Sequence, residues 1–232
     1  MMTKIILVPG LLCTKQLFSK QIIALQDDYD IEVANTLGIN SILGMAEEII
    51  LKHKTKFFIC GLSMGGYVAQ MVAHLAPDKV LGMGLFSTSG RADTDEKRKQ
   101  RKALIKTSKK GKFRGVTSRL LPSLLSAQAI GNEHLVQEVM DMATEVGQTN
   151  FTLQQEAIMG RPDFRPYARN ANMPIEILVG ELDQLTPPFL AEELNSLFKD
   201  ANLSILTGVG HLSSMEAPDD TNNVIKRLIR RV

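Results

Sequence analysis

A serine at position 63 lies in the sequence pattern of this chain that best suits nucleophilic chemistry. The pattern is Gly61-Leu62-Ser63-Met64-Gly65, which follows the apolar run Phe57–Cys60 and precedes a segment with helical periodicity. A serine on such a tight strand-to-helix turn presents its hydroxyl at the end of a sheet, and the flanking glycines avoid collisions across the turn. We therefore predict that Ser63 is a nucleophile rather than one small residue of a structural turn.

An aspartate and a histidine follow later apolar runs, in the chain order that suits a serine nucleophile. Asp183 comes after Ile175–Val179, and His211 comes after Leu203–Leu206. Because parallel strands end at one edge of a sheet, side chains that follow them can meet there. We predict that His211 is the base for Ser63 and that Asp183 is the acid that orients the imidazole.

The competing carboxylates and histidines are placed less well. Glu181 is the second candidate for the acid, and Glu216 is the third or is simply a carboxylate in the first turn of a helix. The remaining histidines lie within helical patterns and follow no strand; they are His53, His74 and His134. Neither an HExxH nor a Cys-x-x-Cys spacing occurs, so we expect no metal and no cofactor.

The loop after the first apolar run is expected to supply N–H donors to a developing oxyanion. It reads Pro9-Gly10-Leu11-Leu12-Cys13. A serine nucleophile of this kind uses the N–H of the next residue and one from this loop. These donors are Met64 and Leu11, with Leu12 as the neighbouring alternative and a candidate for substrate contact. No histidine lies near Cys13 in sequence to activate it, so we interpret this thiol as a bystander.

Short apolar, β-branched runs alternate with helical patterns along most of the chain, which is typical of an α/β fold with a parallel sheet covered on both faces. The predicted strands are Ile5–Val8, Ile31–Ala34, Phe57–Cys60, Val80–Phe86, Ile175–Val179 and Leu203–Leu206. The predicted helices lie near residues 15–26, 41–54, 64–76, 187–199 and 218–231.

One long interval, from about residue 87 to residue 173, contains helical patterns but no convincing strand. A helical insertion between two strands of a parallel sheet is expected to cover the strand ends. We therefore predict a core formed by residues 1–88 and 174–232, and a helical cap formed by residues 89–173.

Two arginines of this cap are candidates for substrate binding. Arg91 closely follows the strand that ends near Phe86, and Arg161 precedes the return to the sheet. A guanidinium that faces the site would grip a substrate carboxylate through two hydrogen bonds. A salt bridge to Asp163 or another nearby carboxylate is the competing interpretation for Arg161. The other cationic residues of the cap are interpreted as a solvated helix face.

The composition is that of a globular protein with 232 residues, 44% of them hydrophobic and 22% charged. A formal net charge of +2 is too small to indicate nucleic-acid binding, and two cysteines are too few for a disulfide framework. No apolar run approaches the ~20 residues of a membrane helix, and no secretory signal is evident. We expect a cytoplasmic monomer or homodimer that binds a small acyl substrate, with no nucleic-acid partner and no membrane insertion.

Along nearly its whole length the chain resembles the α/β-hydrolase superfamily. Within that superfamily it looks most like the bacterial esterases and lactonases that include 3-oxoadipate enol-lactonases. The stretches that carry the resemblance are Pro9–Cys13, Gly61–Ala69, Ile158–Pro166, Gly180–Pro188 and Gly210–Ser213. The resemblance implies a six-stranded, mostly parallel sheet with an inserted helical cap, lacking the two leading strands of the full fold. The family usually has His-Gly where this chain has Pro9-Gly10, so a side chain that often braces the oxyanion loop is replaced.

The residues and the resemblance together favour hydrolysis of a small carboxylic ester, thioester or lactone through an acyl-enzyme. One alternative is a C–C bond hydrolase or lyase that uses the same three residues on a dicarbonyl or dienoate substrate. A second is a binding protein without catalytic activity on the same scaffold, since one fold serves many functions.

Overall fold

The computed structural model describes residues 2–110 and 113–232; Gly111 and Lys112 of the predicted cap lie outside the described residues. Its centre is one six-stranded sheet in which all neighbouring strands run parallel, in the order β2-β1-β3-β4-β5-β6. The strands are β1 Lys4–Val8, β2 Asp30–Val33, β3 Phe57–Leu62, β4 Val80–Phe86, β5 Ile175–Gly180 and β6 Ala201–Leu206.

Helices cover both faces of this sheet. The α-helices of the described residues are α1 Ser19–Leu25, α2 Ile42–Lys52, α3 Met64–Leu75, α4 Asp95–Ser108, α5 Leu121–Leu124, α6 Ala127–Ile130, α7 Glu133–Met159, α8 Arg165–Ala168, α9 Pro188–Leu197, α10 Ser213–Glu216 and α11 Pro218–Ile229. Short 3₁₀ turns at Lys15–Phe18 and Pro77–Lys79 precede α1 and β4. The layered arrangement confirms the predicted α/β class.

The predicted strands all form, with small differences at their ends. β3 continues to Leu62 because its last two residues still pair with β4, and β6 begins at Ala201 because it pairs with β5 from there. Between β4 and β5 the described residues form five helices and no strand. We call residues 89–173 the cap segment; that it is a separate domain stays a prediction.

The central strands β3 and β4 are covered on both faces, which is why they lack hydrophobic alternation. Every residue of β3 and of β5 is buried. On one face the strands pack against α2, α3 and α9, and on the other against α1 and α11. Helix α11 begins with Pro218 and places Val224, Ile225 and Leu228 against the sheet.

The longest helix of the cap segment, α7, is interrupted at Gly147. This residue has φ of 73° and ψ of 173°, values outside the helical region. A residue with a side chain rarely adopts a positive φ, so glycine permits the break. The second half of α7 then carries Gln154 and Gln155 into the protein interior.

No helix among the described residues has the length and apolar character needed to span a bilayer.

The backbone is closely packed where α3 leaves β3 and crosses the end of β1. A Cβ atom on Gly65 would lie 1.9 Å from the carbonyl oxygen of Val8, and one on Gly61 would lie 2.1 Å from the carbonyl oxygen of Gly65. Both obstacles are backbone atoms, so a side chain at either position would force the elements apart. The two glycines of the Ser63 motif therefore set the distance between α3 and the sheet.

We expect Gly65→Ala to lower the free energy of unfolding by about 3 kcal/mol, because the added methyl group meets backbone that cannot yield. Urea unfolding followed by circular dichroism measures the change. Gly160→Ala is the matched control: its Cβ would have no neighbour closer than 3.5 Å, and its φ of −85° is open to alanine. Equal losses in both variants would contradict this account.

Candidate active site

Ser63 stands on the turn between β3 and α3 in a strained conformation. Its φ is 56° and its ψ is −114°, a region that residues with side chains rarely occupy. Its N–H donates to the carbonyl of Phe86 at 2.9 Å, and its carbonyl accepts from Gly66 N–H at 3.0 Å and Thr88 Oγ at 2.8 Å. These bonds hold the backbone in place and leave the side chain on the cavity side.

Two other non-glycine residues share this strain. Leu12 has φ of 60° and Ser87 has φ of 45°. Each of the three positions follows the end of a strand, namely β1, β3 or β4. Such conformations cost about 1–3 kcal/mol apiece and persist where surrounding bonds over-determine them, which is typical of functional sites.

His211 and Asp183 form a closely spaced pair. His211 Nδ1 lies 2.9 Å from Asp183 Oδ1 and 2.8 Å from Oδ2, and each residue is 3% exposed. An ionised carboxylate can only accept, so Nδ1 carries the hydrogen of this bond, and in the neutral imidazole Nε2 is then the acceptor nitrogen. The predicted acid and base therefore lie together in a buried environment.

The carboxylate of Asp183 is also held by its own loop. Oδ1 accepts from the N–H groups of Leu185 and Thr186, both at 2.9 Å, and Oδ2 accepts from Thr186 Oγ1 at 2.8 Å. Burial acts to raise the pKa of Asp183, but His211 and the Thr186 donors outweigh it and hold the pKa below its ordinary value. Asp183 is therefore ionised at neutral pH.

Ser63 and His211 line one cavity of about 600 Å³ at the carboxyl ends of the strands. The loop after β1 and helices α4 and α7 of the cap segment complete its wall. Among the described residues the Ser63 hydroxyl forms no hydrogen bond with His211. Such bonds are often long before substrate arrives and tighten in the complex.

The backbone N–H groups of the two predicted oxyanion donors differ from that of Leu12 in their hydrogen bonding. Within the described part of the chain, the N–H groups of Leu11 and Met64 donate to no protein acceptor, and Leu11 lines the cavity. The N–H of Leu12 donates to Gln154 Oε1 at 3.0 Å. This bond engages the Leu12 N–H and favours Leu11 as the donor, while Leu12 itself lines the cavity.

Gln154 of α7 braces the loop after β1 and was not found from the sequence. Its side chain is fully buried; Oε1 accepts from Leu12, and Nε2 lies 3.4 Å from both the carbonyl and the hydroxyl oxygen of Thr36. It thereby ties the loop after β1 to the residues that follow β2. A buried glutamine within a helical pattern gives no sequence signal of a partner 142 residues away.

The alternative acids lie in other places. Glu181 is exposed, and its Oε2 accepts from the N–H of Gly208 at 3.0 Å. Glu216 accepts from Gly210 at 3.1 Å and from the N–H of Ser126 at 2.9 Å, so it ties the histidine loop to the cap segment. Neither carboxylate is hydrogen-bonded to His211.

The two candidate arginines do not present free guanidinium groups to the cavity. Arg91 is exposed and forms a two-bond ion pair with Glu193 at 2.8 and 2.9 Å, away from the cavity lining. The proposal that Arg91 contacts substrate is therefore not supported. Arg161 does line the cavity, but its Nη1 lies 2.8 Å from Asp93 Oδ1, and it also donates to two carbonyls. The expected partner Asp163 is bound to Arg165 instead.

The other sulfur and imidazole groups do not resemble catalytic residues. Cys13 lines the cavity, but burial raises the pKa of its thiol to about 12, so it is not a thiolate at neutral pH. His53 packs against Phe57, and His74 stacks on Tyr167 with ring centres 4.1 Å apart. Neither histidine lines the cavity with Ser63.

The parallel sheet, the strained serine turn after β3 and the loops after β5 and β6 define an α/β-hydrolase fold. The family described as "Serine aminopeptidase, S33" matches residues 41–218, more than half of the chain. The chain therefore belongs to this hydrolase family.

Individual relatives are distant and differ in described activity. Pimeloyl-[acyl-carrier protein] methyl ester esterase of Yersinia pseudotuberculosis is 23% identical over 193 residues, which cover 81% of this chain and 75% of that protein. A protein of Mycobacterium tuberculosis named as a non-heme bromoperoxidase is 24% identical over 186 residues, covering 75% of this chain and 68% of the relative. The enol-lactonase of Burkholderia xenovorans has the same fold, with a TM-score of 0.87 at 20% identity over 99% of this chain and 92% of that one.

We expect Gln154→Leu to lower the free energy of unfolding by about 1–3 kcal/mol, because the buried N–H of Leu12 loses its only acceptor among the described residues. Gln137→Leu is the control on the same helix: Gln137 is exposed and its side-chain amide donates to the exposed Asp141, so the loss of stability should stay within about 0.5 kcal/mol. Thermal and urea unfolding of both variants measure the difference. If the Gln154→Leu protein is as stable as the control variant, Gln154 does not brace the loop after β1.

Proposed function

We propose that this chain is a serine hydrolase that cleaves a small carboxylic ester, thioester or lactone through an acyl-enzyme. The observation that carries the proposal is the His211–Asp183 pair, with Nδ1 2.8 and 2.9 Å from the carboxylate oxygens, at the wall of the cavity that Ser63 also lines. Membership of a hydrolase family and relatives described as an esterase and an enol-lactonase support it.

In the acylation step the Ser63 hydroxyl oxygen attacks the ester carbonyl while His211 Nε2 takes its proton. Asp183 is suited to keep the imidazole in the required tautomer and to stabilise the imidazolium that forms. The N–H groups of Leu11 and Met64 would donate to the carbonyl oxygen as it becomes negative. Collapse of the tetrahedral intermediate expels the alcohol or thiol, which receives the proton from His211.

In the deacylation step water replaces the alcohol. His211 takes a proton from the water as its oxygen attacks the acyl-enzyme, and the collapse returns that proton to the Ser63 oxygen while the acid leaves. The pKa of Asp183, held low by His211 and Thr186, keeps the carboxylate charged through both steps.

A C–C hydrolase or lyase that uses the same three residues is the second candidate. The observation in its favour is the buried Arg161 at the cavity wall, since such substrates carry carboxylates. Because Nε and Nη1 of Arg161 already bond carbonyls and Asp93, this observation is weaker than the one that supports ester hydrolysis.

Wild-type protein should form a covalent adduct with a fluorophosphonate probe at Ser63, and Ser63→Ala should lose both the adduct and ester hydrolysis. Intact-mass analysis and turnover of p-nitrophenyl butyrate are the measurements. Because such residues act as a unit, Ser63→Ala, His211→Ala and the double variant should lose similar activity. The proposal fails if wild type stays unlabelled where a control esterase is labelled, and the binding-protein alternative then gains.

Asp183→Asn should lower kcat by up to about 10⁴-fold while the protein stays folded, because an amide at this position favours the wrong imidazole tautomer. Glu181→Gln is the matched control, since this exposed carboxylate bonds Gly208 rather than His211. Rates with p-nitrophenyl butyrate and circular dichroism spectra of both variants test the assignment. A larger loss in Glu181→Gln would show that the acid is misassigned.

A further inference from the structure

The lining of the cavity beside Ser63 is positively charged. Its charged lining residues, among those that the structure describes, are five cations and no carboxylate; they are Lys97, Arg101, Lys110, Arg114 and Arg161. Between residues 97 and 119 the sequence contains no Asp or Glu, although the whole chain has a net charge of only +2. The excess of positive charge is therefore concentrated around this cavity.

Helix α4 presents one continuous face to the cavity. The lining residues recur at the three- and four-residue spacing that places side chains on one side of a helix. They are Lys97, Gln100, Arg101, Leu104, Thr107 and Ser108. Other cations of α4 do not line the cavity; they are Arg98, Lys99, Lys102 and Lys106. The same helix therefore supplies both cavity-facing and outward-facing charges.

One buried carboxylate lies behind this face and neutralises only part of the charge. The Asp93 side chain is inaccessible to solvent; it lies 2.6 Å from Arg101 Nε and 2.8 Å from Arg161 Nη1. Burial acts to raise the pKa of Asp93, but Arg161 and Arg101 hold it below its ordinary value, so the carboxylate is charged. One negative and two positive charges leave one positive charge uncompensated.

Lys97 adds a second uncompensated charge. Within the described part of the chain it has no carboxylate within salt-bridge distance. Partial desolvation lowers the pKa of Lys97; Asp93 opposes this effect, and Arg161 and Arg101 add to it. Because neighbouring cations disfavour the charged form of this lysine, a bound anion would stabilise that form.

Arg101 keeps hydrogen-bonding capacity for such an anion. Its Nε donates to Asp93 and its Nη1 to Gln155 Oε1 at 2.7 Å, which leaves further N–H groups of the guanidinium. The remaining wall is largely apolar and suits a hydrocarbon chain; it includes Leu104, Phe113, Val139, Met142 and Phe151.

We propose that the cavity takes acyl esters that carry a second, negatively charged group, and that Lys97 and Arg101 bind this group while the ester lies at Ser63. The inference rests on the proposed function and names its substrate class. A carboxylate at the far end of the acyl chain and a phosphate on the leaving group share the chemistry that these cations recognise.

The test compares substrates that differ by one anionic group. p-Nitrophenyl butyrate is paired with the p-nitrophenyl monoester of glutaric acid, whose acyl chain ends in a carboxylate. S-butyryl-pantetheine is paired with S-butyryl-4′-phosphopantetheine, whose leaving group carries the phosphate. For wild type we expect kcat/KM to favour the charged member of at least one pair, and this preference should shrink in high salt because screening weakens it. The pair that shows the preference locates the anion relative to the scissile bond.

Lys97→Gln should reduce the ratio of kcat/KM for the charged over the neutral substrate by about tenfold, the effect of losing one charge-assisted hydrogen bond. Lys102→Gln removes the same charge from the outward side of α4 and should leave the ratio unchanged. Arg101→Gln, with Arg98→Gln as its control, tests the second cation. Urea unfolding accompanies this pair because Arg101 also binds Asp93.

The outcomes separate the two proposals. If wild type hydrolyses the neutral esters through Ser63 without preferring a charged one, the proposed function stands and the anion site is wrong. An equal fall in Lys97→Gln and Lys102→Gln also overturns the site, because it indicates the general field of the basic segment. Hydrolysis of no ester, together with no labelling of Ser63, overturns both proposals.

Discussion

The contact between Gly65 and the carbonyl of Val8 is the constraint on which the rest of the candidate site depends. It lets α3 cross the end of β1 without an intervening side chain, and a Cβ atom there would lie 1.9 Å from the oxygen. Because α3 is this close, the chain must turn within one residue after β3, and Ser63 takes the strained conformation. The same closeness brings the N–H groups of Met64 and of the β1 loop to one side of the sheet. A wider separation would relieve the strain and disperse these groups.

Buried hydrogen bonds, rather than exposed ion pairs, hold the surrounding loops. Asp183 accepts three bonds from its own loop in addition to that from His211. Gln154 accepts the N–H of Leu12 and Glu216 accepts that of Ser126, each from a loop distant in sequence. A buried donor left without an acceptor costs about 1–3 kcal/mol, so each of these bonds opposes movement of the loop it holds. By contrast, the exposed Arg91–Glu193 pair adds little, since solvent screens such pairs.

The sequence was sufficient to predict the strands and helices, and to predict those site residues that lie in local motifs. Strands such as Val80–Phe86 are apolar throughout and are recognisable without their neighbours, and the glycines around Ser63 report a turn that depends only on adjacent residues. The positions of side chains in the cap segment were harder to predict, because they depend on contacts between residues distant in sequence. Arg91 lies near the end of β4 in sequence, yet Glu193 of α9 draws it away from the cavity. For Arg161 the sequence offered a salt bridge to Asp163 or another nearby carboxylate, whereas the structure pairs it with Asp93, which also binds Arg101.

The bonds that assemble the site also determine when it can form during folding. Leu12 and Gln154 are 142 residues apart, Ser126 and Glu216 are 90 apart, and the Ser214 hydroxyl bonds the carbonyl of Leu17 across 197 residues. Contacts between distant parts of a chain pay their loop-closure entropy before they contribute stability, so they form slowly. Neither the loop after β1 nor the cap segment forms the cavity alone. The loop that carries His211 is the last part of the cavity lining to leave a ribosome. A nascent or partly unfolded chain therefore lacks the assembled cavity, which belongs only to the fully folded protein.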